Sequence, residues 1–136
     1  MPAAEMPEFE RNDQGKGSFN QYRGVLVPAN GRVRIRLAGS NPHQALLAEL
    51  SGQDAETAIS RRSQQLEAVD APIEVRLFVG ARVVGPVGWV PWGLESVVDE
   101  ALGRLDTLGR KTRIPVEIIR KGGLYRVELL MGRTRP

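Results

Sequence analysis

The sequence predicts an α+β fold: a small, mostly antiparallel β-barrel or curled sheet capped by helices, in the order β-β-α-(α)-β-β-α-β-β. Three observations carry this. Apolar and polar residues alternate at 32–37, and Ile73, Val75, Leu77 and Val79 alternate with Glu74, Arg76 and Phe78, which is the period-2 signature of half-buried strands. Glycine turns at Gly80-Ala81 and Lys121-Gly122-Gly123 join neighbouring runs closely enough for hairpins. Leu94, Val97, Val98, Ala101, Leu102, Leu105 and Leu108 recur at helical spacing over four turns. Hairpins separated by helices do not build the parallel sheet of a nucleotide-binding α/β fold, which needs crossover connections.

The elements follow in order. Residues 1–20 are rich in Pro, Glu, Asn, Gln and Gly without apolar periodicity and are expected to form a flexible arm, because they offer no burial to offset their ordering entropy. The domain is expected over 21–136. Tyr22 to Val27 is a short strand candidate, Pro28 to Gly31 a turn, and Arg32 to Leu37 a strand with Arg32, Arg34 and Arg36 on its wet face. Asn41-Pro42-His43-Gln44 supplies an N-cap, a proline at the first helical position and a Gln placed for a capping box. The short helix behind it carries His43, Leu46, Leu47 and Leu50 on one stripe. Between Asp54 and Val69 the spacing of Ala55, Ala58, Ile59, Leu66 and Val69 fits a weaker amphipathic helix with Arg62 on its inner face, or equally an extended loop or helical insertion. Pro72 ends that segment. A strand through Val79 and a return strand from Arg82 to Val90 come next, with Gly85-Pro86 marking a bulge or an edge. Gly109 is placed to stop the Leu94 helix, and Val116–Arg120 and Leu124–Met131 form the last hairpin.

A length of 136 residues fits one domain, large enough to bury a core without staples. Zero cysteines and one histidine, His43, exclude disulfides, thiolate metal sites and His clusters, and no metal or cofactor is expected. No apolar run approaches the roughly 18 residues that span a bilayer, and no charged n-region precedes an apolar core; the expectation is a cytoplasmic protein without membrane attachment. The formal charge is +3, unevenly spread. Residues 1–103 hold ten basic and thirteen acidic groups, and 104–136 hold nine and three. Such asymmetry points to a polyanionic partner.

Catalytic constellations are absent from the pattern. Gly80, Gly85 and Gly88 lead into a strand with no Lys-Ser or Lys-Thr behind them, so they read as hairpin and bulge chemistry and not as a phosphate loop. Glu95, Asp99 and Glu100 read as a solvated helix face whose first-turn carboxylates complement the dipole. The serines have one histidine among them and no Gly-x-Ser-x-Gly elbow. A binding protein is expected, not an enzyme.

Binding candidates are better placed. Arg32, Arg34 and Arg36 would recur about every 7 Å along one strand face, which approximates the phosphate spacing of an extended single strand. An arginine row also serves to block edge pairing. Trp89, Trp92, Tyr125, Phe78 and His43 are the rings available to stack on bases, and Tyr125 sits beside Lys121 and Arg126 after a glycine pair.

Gly39-Ser40-Asn41-Pro42-His43-Gln44-Ala45-Leu46-Leu47, the strand through Arg76-Leu77, Val87-Gly88-Trp89-Val90-Pro91 ahead of a helix, and Arg120-Lys121-Gly122-Gly123-Leu124-Tyr125-Arg126-Val127 together resemble the HIRAN domain. The resemblance covers residues 23 to about 131. It implies a small six-stranded barrel with two helices and, by analogy with characterised members, recognition of single-stranded DNA ends. The family's Asn-Pro-Tyr-Asp-x-Asn-Ala stretch is missing, its place taken by the Gly80-Ala81-Arg82 turn. Of the family's aromatic pocket, His43 and Tyr125 have candidates here. The functional expectation is a non-catalytic module that grips single-stranded DNA, a DNA end or a junction through Arg32, Arg34, Arg36, His43, Lys121, Tyr125 and Arg126. The alternative is a protein-assembly module of a mobile-element or phage complex, since exposed Arg and Trp suit a protein interface equally.

Overall fold

The computed structural model describes residues 19–22 and 25–136. The chain runs β1 (Phe19–Tyr22), β2 (Val25–Pro28), β3 (Ile35–Arg36), a 3-10 turn (Asn41–His43), α1 (Gln44–Leu50), β4 (Ala55–Thr57), α2 (Gln64–Ala68), β5 (Glu74–Val79), β6 (Arg82–Trp89), α3 (Glu95–Thr107), β7 (Pro115–Lys121), β8 (Leu124–Leu129) and a C-terminal 3-10 turn (Met131–Thr134). Strands β1 and β2 form a ribbon, and the other six make one antiparallel sheet in the order β3-β8-β7-β4-β5-β6. The fold is the expected α+β curled sheet, a half-barrel. Among the described residues, no helix is long and apolar enough to cross a membrane.

The outer strands of that sheet meet at one point. Ala38, just past β3, and Trp89, the last residue of β6, exchange two backbone hydrogen bonds of 2.8 Å. The approach needs glycine: a Cβ on Gly88 would stand 2.7 Å from the Ala38 carbonyl oxygen and 2.9 Å from Ser40 Oγ. Inside the curl, Val33, Ile35 and Leu37 from the β3 segment face Val75 and Leu77 of β5, Val87 of β6, and Val127 and Leu129 of β8 in one buried cluster. The alternation read at 32–37 and 73–79 therefore places the apolar members inward, as expected for half-buried strands.

Both turns fall where the glycines put them. Val79 pairs with Arg82 around Gly80-Ala81, and Lys121 pairs with Leu124 around Gly122 and Gly123, whose φ angles are 61° and 80°. Two successive positive φ angles make the tight turn that matches strand twist. Near Gly85-Pro86 the β5–β6 register shifts between Val75 and Leu77, the expected bulge. Helix α3 buries Val97, Val98, Ala101, Leu102 and Leu105 against β2 and the C-terminal 3-10 turn, and Gly109 at φ 71° terminates it. Leu108 is the exception in that stripe: it is the C-cap and is exposed, because the helix ends before it completes the turn.

Several expectations are corrected. Residues 54–69 are not one helix. Ala55–Thr57 is a strand in the middle of the sheet, between β5 and β7, and only Gln64–Ala68 is helical, capped by Ser63 Oγ accepting from the Leu66 N–H. Three residues are too few to display a period, and their strand state comes from partners on both sides. The first hairpin is also different: β2 pairs with β1, and β3 pairs with β8. Phe19, assigned to the arm, is in β1 and buried in the core, while residues 1–18 lie outside the described residues. Asn41 is not the helix N-cap, and Gln44 closes no capping box. Ser40 precedes the 3-10 turn without a side-chain cap, its Oγ donating instead to the Val87 carbonyl at 2.8 Å.

Candidate nucleic-acid interface

Alternation along the β7–β8 hairpin decides which side chains meet water. Val116–Leu129, Ile118–Val127 and Arg120–Tyr125 are partners on the inner parity, whereas Glu117–Glu128, Ile119–Arg126 and Lys121–Leu124 lie on the outer one. The outer face of β3 runs alongside, since Arg36 pairs with Glu128. Arg34 donates from Nη1 to Glu117 Oε1 at 2.6 Å and to Glu128 Oε1 at 2.9 Å, and Arg36 Nη2 reaches Glu128 Oε2 at 3.4 Å. The Glu128 hydrogen bond, working against burial and reinforced by Glu117, holds the Arg34 guanidinium above its ordinary pKa. Two of the three arginines expected as a phosphate-tracking row are thus cross-strand ion-pair partners. Arg32 is exposed, its backbone N–H donating to Asn30 Oδ1 at 2.9 Å.

At the other end of the hairpin, α1 docks through its first residue. Gln44 Oε1 accepts the Tyr125 N–H at 2.7 Å while Gln44 Nε2 donates to the Tyr125 carbonyl at 2.9 Å. This amide clasp brings His43, half-buried, to the strand that carries Tyr125 and Arg126. Arg126 Nη1 donates to Asn41 Oδ1 at 2.7 Å. Tyr125 is half-buried against the core, with the Arg120 guanidinium 5.4 Å from its ring centroid. Lys121 is exposed at the turn. His43, Lys121, Tyr125 and Arg126 therefore share one end of the sheet, with Arg120 as an addition that its neighbour Tyr125 reveals. Lys121 and Arg126 share the outer face with Arg34 and Arg36 but lie toward its other end, while Tyr125 and Arg120 are on the inner parity.

The ion-pair ladder changes the charge balance of the C-terminal third. Its acids Glu117 and Glu128 are engaged by arginines from the first half of the chain. Of the nine basic residues in 104–136, Arg113 has a carboxylate within 4 Å, Glu56 at 3.6 Å, and among the described residues the other eight have none. Arg104 is turned inward, donating to the Thr134 carbonyl and hydroxyl at 2.7 Å each, and burial lowers its pKa from the ordinary value.

The remaining rings divide. Phe78 is covered by Arg113, whose Cζ stands 3.9 Å from the ring centroid. Trp89 is half-buried and Trp92 is 41% exposed, and both line a recess at the start of α3. The carboxylates there are not a solvated helix face: Glu95 is 1% exposed and Asp99 0%, and only Glu100 reaches outward, to Arg61 at 3.5 Å. For Asp99 the reason is Arg62, which lies inward from the segment ahead of α2 and not from the helix expected over 54–69. It donates from Nε to Asp99 Oδ2 at 2.8 Å, from its backbone N–H to Asp99 Oδ1 at 2.9 Å, and from Nη1 to the Ala71 carbonyl at 2.7 Å. Burial lowers its pKa, but the hydrogen bond and charge of Asp99 outweigh that, with Asp70 and Glu95 adding, so the net shift is upward. The missed signal is the i, i+4 placement of Glu95 and Asp99 beside Val98 and Leu102, on the flank of the apolar stripe. Comparison with protein-family models, curated proteins and solved structures finds no match for this chain.

Proposed function

We propose that this chain is a non-catalytic nucleic-acid-binding module that takes single-stranded DNA, a DNA end or a junction at the β7–β8 hairpin. Arg120, Lys121 and Arg126 are its phosphate contacts, and Tyr125 and His43 are its stacking surface. The observation that carries this reading is the uncompensated charge at the hairpin: the neighbouring acids Glu117 and Glu128 are occupied by Arg34 and Arg36, so the hairpin cations have no carboxylate partner among the described residues. Cations without carboxylate partners beside half-buried rings suit a backbone-tracking, sequence-tolerant grip. The HIRAN resemblance, which includes the same Arg120 to Val127 stretch, points the same way. In this reading Arg32 adds a peripheral contact, and Arg34 and Arg36 shape the face without binding phosphate.

The test is fluorescence anisotropy of a labelled single-stranded oligonucleotide across a salt series, wild type beside Lys121→Gln/Arg126→Gln. The double variant is expected to weaken every sequence alike and to flatten the log affinity against log salt by about 1.4, at about 0.7 per lost contact. Equal slopes and affinities refute the reading. Altered self-association in the double variant, with oligonucleotide binding unchanged, selects the assembly module instead.

A further inference from the structure

The recess at the start of α3 has a composition opposite to that of the hairpin. It encloses about 380 Å³ and is lined by Val69, Asp70, Pro72, Trp89, Trp92 and Glu95. Glu95 opens α3 and accepts the Gly93 N–H through Oε1 at 2.8 Å, while its Oε2 is buried with no hydrogen-bond partner. Among the described residues no cation lies within 4 Å of Glu95; the nearby guanidinium of Arg62 is spent on Asp99, the Ala71 carbonyl and, at 3.5 Å, Asp70. A buried acceptor left unmade is costly, and native structures keep few of them. Asp70 adds a second carboxylate, held at φ 52° where glycine would be the unstrained choice.

Two indoles present aromatic surface beside these acids, and an aromatic face attracts a cation through its quadrupole. Three carboxylates, Glu95, Asp99 and Asp70, surround a single arginine here, on a chain whose formal charge is +3. Such a site repels phosphate and offers an unpartnered carboxylate acceptor in Glu95 Oε2, so it calls for a positively charged ligand bearing N–H groups. We propose that the Trp89–Trp92–Glu95 recess binds the head of an organic cation with N–H donors, an alkylammonium or alkylguanidinium. The indoles take its charge and apolar flank, and Glu95 Oε2 accepts an N–H. The source is either a free cation or a lysine or arginine side chain of a protein segment. Nucleic-acid binding at the hairpin is not required for it.

The chain contains two tryptophans, and both line the recess, so intrinsic tryptophan emission reports its occupancy directly. Methylguanidinium is titrated into the full chain against sodium chloride of equal ionic strength, tetramethylammonium, and thymidine monophosphate. A saturable change with methylguanidinium, at least about tenfold weaker with tetramethylammonium, which has no N–H to offer Oε2, is the expected result. Trp92→Leu, at an exposed position that does not hold the fold, is expected to weaken binding about fivefold as read by Trp89. Glu95→Gln is expected to weaken it at least about tenfold; if that variant does not fold, Trp92→Leu and the tetramethylammonium comparison decide. N-acetylarginine amide distinguishes the sources: tighter binding than methylguanidinium assigns the recess to a basic side chain of a partner, and equal or weaker binding assigns it to a free cation. A response no larger than that of sodium chloride overturns the proposal. So do equal affinities for the two cations, unchanged affinity in Trp92→Leu, or tighter binding of thymidine monophosphate.

Discussion

Replacing Arg62 by methionine isolates the one buried charge pair on which the 58–72 connection depends. Arg62 is 8% exposed and Asp99 0%, and the guanidinium joins three points: Asp99 on α3, the Ala71 carbonyl ahead of β5, and Asp70. Methionine keeps the apolar stem but leaves a carboxylate inside the protein with only the residue-62 N–H to satisfy it. Breaking a buried pair from one side costs about 3–5 kcal/mol, a large part of the roughly 5–15 kcal/mol that holds a domain folded. For a chain of this length the midpoint of thermal unfolding should fall by about 10–20 °C. Asp99→Leu alone should cost a similar amount, because it strands the arginine. The double variant Arg62→Met/Asp99→Leu should recover much of the loss, since an apolar pair of similar volume is often no less stable than the ion pair it replaces. Urea denaturation of the four proteins gives the coupling energy directly. Additive losses, or a cost below about 1 kcal/mol for Arg62→Met, would show that the pair is not what pins the connection to α3.

The other expectations can be checked on the same preparations. Leu102→Ala, at a buried position in the middle of α3, should cost about 2–5 kcal/mol; an unchanged urea midpoint would refute the packing of that helix. Gly88→Ala should strain the seam between the Ala38 segment and β6 by about 1–3 kcal/mol and speed amide exchange at Ala38 and Trp89 ahead of the rest of the sheet. Arg34→Gln/Arg36→Gln should leave the salt slope of oligonucleotide binding unchanged, yet lower stability by about 1–3 kcal/mol by stranding the largely buried Glu128. A flattened slope in that variant would return these arginines to the phosphate-tracking role.

What local pattern determines, the sequence shows by itself. Period-2 alternation at 32–37 and 73–79, the stripe of α3, the Gly80-Ala81 and Gly122-Gly123 turns and the Gly85-Pro86 irregularity each depend on residues within a few positions of one another, and all are realised. The cluster of His43, Lys121, Tyr125 and Arg126 was half legible, through the glycine pair and its basic neighbours; the Gln44 clasp that brings His43 to it joins residues 81 apart in the chain. Tertiary structure alone decided the rest. Ala55–Thr57 is a strand because β5 and β7 flank it, not because of its own propensity. Arg34 and Arg36 alternate correctly with their apolar neighbours, but whether a row of cations faces water or a row of acids depends on which strand lies alongside. Here that strand is β8, which brings Glu128. Asp99 borders the apolar stripe and is polar by composition, yet it is buried with a partner because Arg62, 37 residues earlier, arrives from the segment ahead of α2 to meet it. Charge is a property of a residue, but its compensation is a property of the pairing, and pairing over such separations is set by the curled sheet and its packing.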